Sequence, residues 1–268
     1  MKIQTFARVS ALTAVAFMLS VEAVQAADLV AKAYDIKNVT EVVVNGGGRL
    51  QLVQGDTETL RVEAKPDVID RVSVDLSGNK LTLGVKNKSG SGFSFFHWFN
   101  NNDDGAIYIL QLKNIHYLGV SGASHATLGN WVGKNLEVKA SGAADVTFAN
   151  LTLDDLFVDL SGASNSRVQK LTATKLKFEL SGAANIDVKA DSQAKYLKVD
   201  ASGASNFRGK LLSVTQADVG ASGASNIDLR ATEFLKANAS GASNIHYLGQ
   251  PKLQSDTSGA SNVTAIGN

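Results

Sequence analysis

The sequence predicts an all-β protein: a right-handed parallel β-helix of about eight coils of 18–21 residues, with an irregular β cap at its N-terminal end. Three observations predict it. The triplet Ser-Gly-Ala begins at Ser121, Ser141, Ser161, Ser181, Ser202, Ser222, Ser240 and Ser258, in steps of 20, 20, 20, 21, 20, 18 and 18 residues. Apolar and polar residues alternate before each triplet, as in Leu156, Val158 and Leu160 or Leu176, Phe178 and Leu180, which is the period of a strand with one buried face. A polar residue follows each triplet serine at a fixed distance: His125, Asp145, Asn165, Asn185, Asn206, Asn226, Asn244 and Asn262. A unit of this size cannot bury its own apolar face, whereas stacked units bury one another's. Right-handed winding is expected from the handedness of parallel crossovers.

Residues 1–26 read as a secretory signal peptide. Lys2 and Arg8 form a basic start, Val9 to Val21 an apolar run too short for a membrane span, and Val24-Gln25-Ala26 a small-residue cleavage site. No cysteine follows, so a lipoprotein anchor is not expected. Removing this segment leaves 26 − 2 = 24 basic and 25 − 1 = 24 acidic groups, a net charge of zero. No later stretch is long and apolar enough to span a bilayer.

Residues 27–118 alternate like strands but outside the 20-residue register. Val42 to Val44 runs into the turn cluster Asn45-Gly46-Gly47-Gly48, and Val72 to Leu76 and Leu81 to Val85 flank Ser77-Gly78-Asn79-Lys80. Hairpins or irregular coils are expected here, as a cap on an otherwise open β-helix end. Within this region, residues 86–105 read as a long loop carrying Phe93, Phe95, Phe96, Trp98 and Phe99. Those aromatics either tuck against the coil wall or plug its end, or form a binding patch for a partner, a glycan or a membrane surface.

In residues 119–268, each triplet glycine (Gly122, Gly142, Gly162, Gly182, Gly203, Gly223, Gly241 and Gly259) marks a tight corner that needs positive φ. Asn165, Asn185, Asn206, Asn226, Asn244 and Asn262 then stack as a corner column, hydrogen-bonding along it. The open end after the last coil either offers an edge for a homo-oligomer or is blunted by the weakly apolar strand around Lys252 to Asp256.

The chemistry is sparse. With 26 Lys+Arg, 25 Asp+Glu and a formal charge of +1, a nucleic-acid partner working through bulk positive potential is not expected. The absence of cysteine excludes disulfides, thiolate metal sites and a cysteine nucleophile. No nucleophile elbow, zinc-protease, phosphate-loop or dinucleotide motif appears, and no cofactor or metal is implied. His116 and His246 share the string Asn-Ile-His-Tyr-Leu-Gly, which points to repeat position. The best enzyme case is Asp159, Glu179 and Asp200, outward residues on three successive strands, with Lys177 and Lys198 nearby. Acids of this kind hold Ca²⁺ in β-helical polysaccharide lyases. Lys139, at the head of the column, is expected to pair with Asp159 and make it an ordinary charge-mixed face.

The eight SGA(S/A)(N/D) corners, with Gly55-Asp56-Thr57 before Leu60-Arg61-Val62 and the Ser77–Leu83 segment, resemble the head GIN domain family of exported bacterial auto-transporter adhesins. The resemblance covers about residues 35–265 as one continuous domain. It implies a β-helical head displayed on or outside the cell, and it carries no catalytic residues. No translocator barrel follows the repeats, so the expected location is periplasmic, or secreted or cell-surface by another export system. The leading expectation is a non-enzymatic binding or adhesion module of the envelope, with a glycan or an envelope protein as partner. A carbohydrate-active enzyme on the acidic column and a periplasmic structural protein without a small ligand are the alternatives.

Overall fold

The computed structural model describes residues 29–86 and 105–267. Residues 1–26, read as a signal peptide, and Phe93, Phe95, Phe96, Trp98 and Phe99 lie outside the described residues.

The repeats wind into a parallel β-helix. Asp145↔Asn165, Val158↔Phe178 and Leu160↔Leu180 pair 20 residues apart, and the same positions continue as Asn165↔Asn185, Phe178↔Val199 and Leu180↔Ala201. Each winding has three walls. Wall A precedes the Ser-Gly-Ala corner, wall B follows it, and wall C returns to the next wall A. Strands such as Asp145–Leu160, Asn165–Leu180 and Asn206–Ala221 run unbroken through walls B, C and A, so the Ser-Gly-Ala corner is the main interruption. Alternation sends Leu156, Val158 and Leu160 of wall A, Val146 and Phe148 of wall B, and Leu151 and Leu153 of wall C into one continuous core.

The corner glycines explain the triplet. All eight have φ between 73° and 81°, and from Gly142 onward an added Cβ would stand 2.5–3.0 Å from the carbonyl oxygen of the glycine one winding back. That oxygen accepts the N–H of the following alanine, as in Ala183 N to Gly162 O at 2.8 Å. The fourth residue of the motif points inward. Ser124, Ser164, Ser205, Ser225 and Ser243 are buried, and each hydroxyl donates to the carbonyl of its own triplet serine at 2.7–2.8 Å. Ala144 and Ala184 occupy the same place in two windings.

Length changes between windings fall away from this corner. The 21-residue step places Ser192 at the start of wall C, where its Oγ accepts from Leu171 N at 2.9 Å and donates to Ala190 O. The shorter step shifts register between Gly209/Ser213 and Val214/Gln216, while wall A stays aligned through Ala217↔Leu235 and Val219↔Ala237.

In the N-terminal region coils and hairpins both occur. Glu41–Asn45 and Gly48–Gln54 form a full winding parallel to Tyr117–Gly122 and His125–Leu128, with Gly46 at the corner and its oxygen accepting Ala123 N at 2.8 Å. Beyond it lies a winding made of Lys80–Val85 and Ala106–Leu112, parallel to Glu41–Asn45 and Gly48–Gln54. The chain thus visits these two windings out of spatial order. The reason is that parallel neighbours need matching apolar faces, not adjacency in sequence, and Val42/Val44 and Leu81/Leu83 present the same inward pattern. Antiparallel strands do cap the end: Thr59–Ala64 on Ala106–Leu112, Val30–Tyr34 on Thr59–Ala64, and Val72–Ser77 on Lys80–Val85. Their pairing covers edges that would otherwise template aggregation.

The string shared by His116 and His246 does not mark one repeat position. His116 precedes the wall A strand Tyr117–Gly122, whereas His246 lies on wall B within Asn244–Leu248. The six residues set different members against the core in the two places, Ile115 and Leu118 in the first and Ile245 and Tyr247 in the second.

One core position is chemically mismatched. Ser166 occupies the inward column of wall B between Val146 and Ile186, is 2% exposed, and its Oγ has no hydrogen-bond partner. An unpaired buried hydroxyl costs about 1–3 kcal/mol. Ser166→Val removes that cost and adds apolar contact of the kind Val146 makes. Urea unfolding is expected to show a higher midpoint, with a gain of about 1–2 kcal/mol. An unchanged or lower midpoint would show that the hydroxyl is satisfied in solution.

Candidate binding face

Wall A carries three outward columns, and each was assembled by the corner register. Nearest the corner are the triplet serines. Next comes Lys139, Asp159, Glu179, Asp200, Gly220, Asn238 and Asp256, paired in that order. Asp159, Glu179 and Asp200 therefore do stand one above another. With Ser181, Ser202, Ser222, Ser240 and Gly220 they line a shallow trough of about 510 Å³, which dips where Gly220 has no side chain.

The lysines reach the acids along the strands instead of across them. Lys177 Nζ lies 2.6 Å from Glu179 Oε1 and Lys198 Nζ 3.4 Å from Asp200 Oδ2. Lys139 does not pair with Asp159 as the sequence suggested; its Nζ lies 3.0 Å from Glu137 Oε1. Residues two apart on a strand share a face, and the long lysine chain spans that distance as readily as the gap between windings. The Glu137 hydrogen bond holds the Lys139 ammonium above its ordinary pKa, and the Glu179 hydrogen bond does the same for Lys177. Among the described residues no three His, Asp or Glu side chains gather to hold a metal ion. In the column Glu179 and Asp200 are paired with lysines of their own strands, and the carboxylates do not converge into the oxygen cage that a calcium site needs.

The third column, missed from sequence, is the most distinctive. Glu137, Phe157, Lys177, Lys198, Asp218 and Lys236 face outward in register. Beside them, at the turn entering wall A, run Asn135, Asp155, Lys175, Tyr196, Gln216 and Phe234. Together they border an open groove of about 620 Å³ along the axis, floored by the edges of Leu136, Leu156, Leu176 and Leu197. Phe157, Tyr196 and Phe234 are half-buried. Lys177 Nζ sits 4.7 Å from the Phe157 ring centre and Lys195 Nζ 5.1 Å from that of Tyr196, within cation–π range. Aromatic residues at outward positions of alternate windings were the available sequence signal.

Wall B is structural by comparison. Its corner column is a hydrogen-bonded ladder: Asn165 Nδ2 donates to Asp145 Oδ1 at 3.1 Å, Asn185 to Asn165 at 3.0 Å, Asn206 to Asn185 at 2.8 Å, and so on through Asn226 and Asn244 to Asn262. His125 Nδ1 lies 3.2 Å from Asp145 Oδ2 at its head. The next column alternates charge as Arg167, Asp187, Arg208, Asp228 and His246, with Arg208 3.2 Å from Asp187 and His246 3.0 Å from Asp228. Amides and charges that satisfy one another along the axis leave few free groups for a ligand. Among the described residues no helix is long and apolar enough to cross a membrane.

Solved structures share this architecture. A protein of Parabacteroides merdae described as a "putative adhesin" superposes with a TM-score of 0.76 at 19% identity, over 89% of this chain and 96% of its own. One of Parabacteroides distasonis with the same description gives 0.77 at 21% identity, over 89% and 97%. Another from that organism, described as a "putative lipid binding protein", gives 0.75 at 17%, over 89% and 96%. At these identities the likeness is one of fold. No curated protein matches the chain. Residues 38–251 match the family model described as "Putative auto-transporter adhesin, head GIN domain", and the chain belongs to that family.

Proposed function

We propose that the protein is an exported, non-enzymatic binding module of the bacterial envelope, an adhesin-like head that engages its partner through the outer surface of wall A. One observation carries this reading. Wall A presents an open groove that runs across successive windings and keeps half-buried aromatics and lysines at its edge, Lys175 among them without an ion pair to the described residues, whereas wall B spends its polar groups on internal ladders. Aromatic rings beside cations are the side chains that supply contact area at binding surfaces. The signal-like N-terminal segment supports export, and the family supports an adhesin role.

The test is retention on envelope fragments. Fluorescently labelled protein should cosediment with envelope fragments of the producing bacterium. A variant carrying Phe157→Ser, Tyr196→Ser and Phe234→Ser should lose at least about tenfold in affinity, the loss of about 1.4 kcal/mol. Equal retention of both proteins, with both shown folded by circular dichroism, would overturn wall A as the binding face.

A further inference from the structure

The aromatics of the groove recur on every second winding. Phe157 pairs in register with Lys177, Lys177 with Lys198, and Tyr196 stands two residues before Lys198; Tyr196 pairs with Gln216 and Gln216 with Phe234. Tyr196 and Phe234 are thus two windings apart on one column, about 10 Å along the axis at the strand spacing. Phe157 lies two windings before Tyr196, in the adjacent column. Three ring-bearing windings therefore alternate with windings that carry polar groups: Lys175 and Lys177 in one, Gln216 and Asp218 in the other.

The charges are distributed unevenly along this row. Lys177, Lys198 and Lys236 each have a carboxylate within 3.5 Å. Lys175 and Lys195, which flank Tyr196 in its own and the preceding winding, make no ion pair with the described residues. Beside the central ring stand two ammonium groups without an ion pair among the described residues, Lys175 in the groove lining and Lys195 against the Tyr196 ring, with the Asp155 carboxylate in register with Lys175.

We infer that the groove binds an extended acidic glycan, a linear pyranose chain with a carboxylate on alternate sugars. This rests on wall A being the binding face. The spacing of about 10 Å between Tyr196 and Phe234 matches the disaccharide repeat of an extended pyranose chain, so sugars one disaccharide apart would stack on these rings, with Phe157, one column aside, about 12 Å from Tyr196. The sugar between Phe157 and Tyr196 would place its carboxylate at Lys175 and Lys195. Half-exposed lysine chains can swing off the rings to admit the sugar, exchanging a cation–π contact for a charge-assisted hydrogen bond. An acyl chain would meet the leucine floor but leave the Lys175 ammonium without a partner, whereas an acidic sugar meets both.

The probe is a hyaluronan decasaccharide, in which uronic acid alternates with a neutral sugar, and the control is cellohexaose. Calorimetry on the whole protein is expected to show binding of the first at least about tenfold tighter than the second, weakening as salt is raised. Tyr196→Ala should weaken it about tenfold and Tyr196→Phe leave it within about threefold, since stacking needs the ring and not the hydroxyl. Lys175→Gln with Lys195→Gln should abolish the preference over cellohexaose. Envelope retention that the decasaccharide competes away supports the inference. Retention that depends on the aromatics but resists the decasaccharide overturns the acidic glycan and leaves the binding face standing. No retention at all overturns both, and equal affinity for the two oligosaccharides overturns the carboxylate preference and with it the inference.

Discussion

Gly182→Ala is expected to destabilise the protein by about 2–5 kcal/mol, although it adds a single methyl group at the surface. Two costs combine. Gly182 sits at φ 78°, where a side chain costs about 1–2 kcal/mol. Its added Cβ would stand 2.6 Å from Gly162 O, and relieving that overlap costs about 1–3 kcal/mol. The neighbour cannot yield cheaply, because Gly162 O already accepts Ala183 N at 2.8 Å and belongs to a column of identical bonds above and below. Gly47→Ala is the control. Its added Cβ meets nothing within 4 Å and its φ is ordinary, so its effect should stay within about 0.5 kcal/mol. Urea unfolding of the two variants separates them. A Gly182→Ala midpoint close to that of Gly47→Ala would mean that the corners do not stack as described.

Phe178→Ala should cost about 3–5 kcal/mol, as for other fully buried aromatic rings. The ring is wholly buried between Val158 and Val199 in register, and its centre is 5.4 Å from that of Phe207 across the core. Two of its neighbours belong to adjacent windings, so the cavity loosens the contacts on which stacking depends. In a solenoid each winding is held by its neighbours. Hydrogen exchange should therefore accelerate in Asp145–Leu160, Asn165–Leu180 and Ser192–Ala201, while the capping strand Thr59–Ala64 keeps its protection. Uniform acceleration over all four strands would show that the helix unfolds as one unit and not winding by winding.

The sequence carried the repeat region almost completely, because there one physical constraint recurs. Each corner needs a glycine with a backbone oxygen packed on it, each wall needs alternation, and each ladder position needs an amide that both donates and accepts. These demands act on single positions and can be read one residue at a time. Partner choice between windings is different. Val42 and Val44 look like Leu81 and Leu83, and nothing local says that Glu41–Asn45 pairs with both Lys80–Val85 and Tyr117–Gly122. The 86–105 segment also separates Lys80–Val85 from Ala106–Leu112 and hides their common winding from any search for a 20-residue period. At the binding face, the stacking of Asp159, Glu179 and Asp200 was legible because it follows from the period. The lysine partners were not, since a flexible chain reaches along its strand or across it at similar distance. The groove was missed because Phe157, Tyr196 and Phe234 sit in two adjacent columns, so no single repeat position shows all three.

All of this depends on windings that climb by one strand spacing at each Ser-Gly-Ala corner. The chain has no cysteine, so pairs of spin labels can be placed on the outward column of wall A without background. Labels at Lys139 with Asp200, Lys139 with Asn238, and Lys139 with Asp256 span three, five and six windings. Electron–electron distance measurements should then give separations of about 14, 24 and 29 Å between backbone positions, rising in proportion to the number of windings. Separations that fail to grow with winding number, or that shorten from Asn238 to Asp256, would contradict the stack and with it the groove.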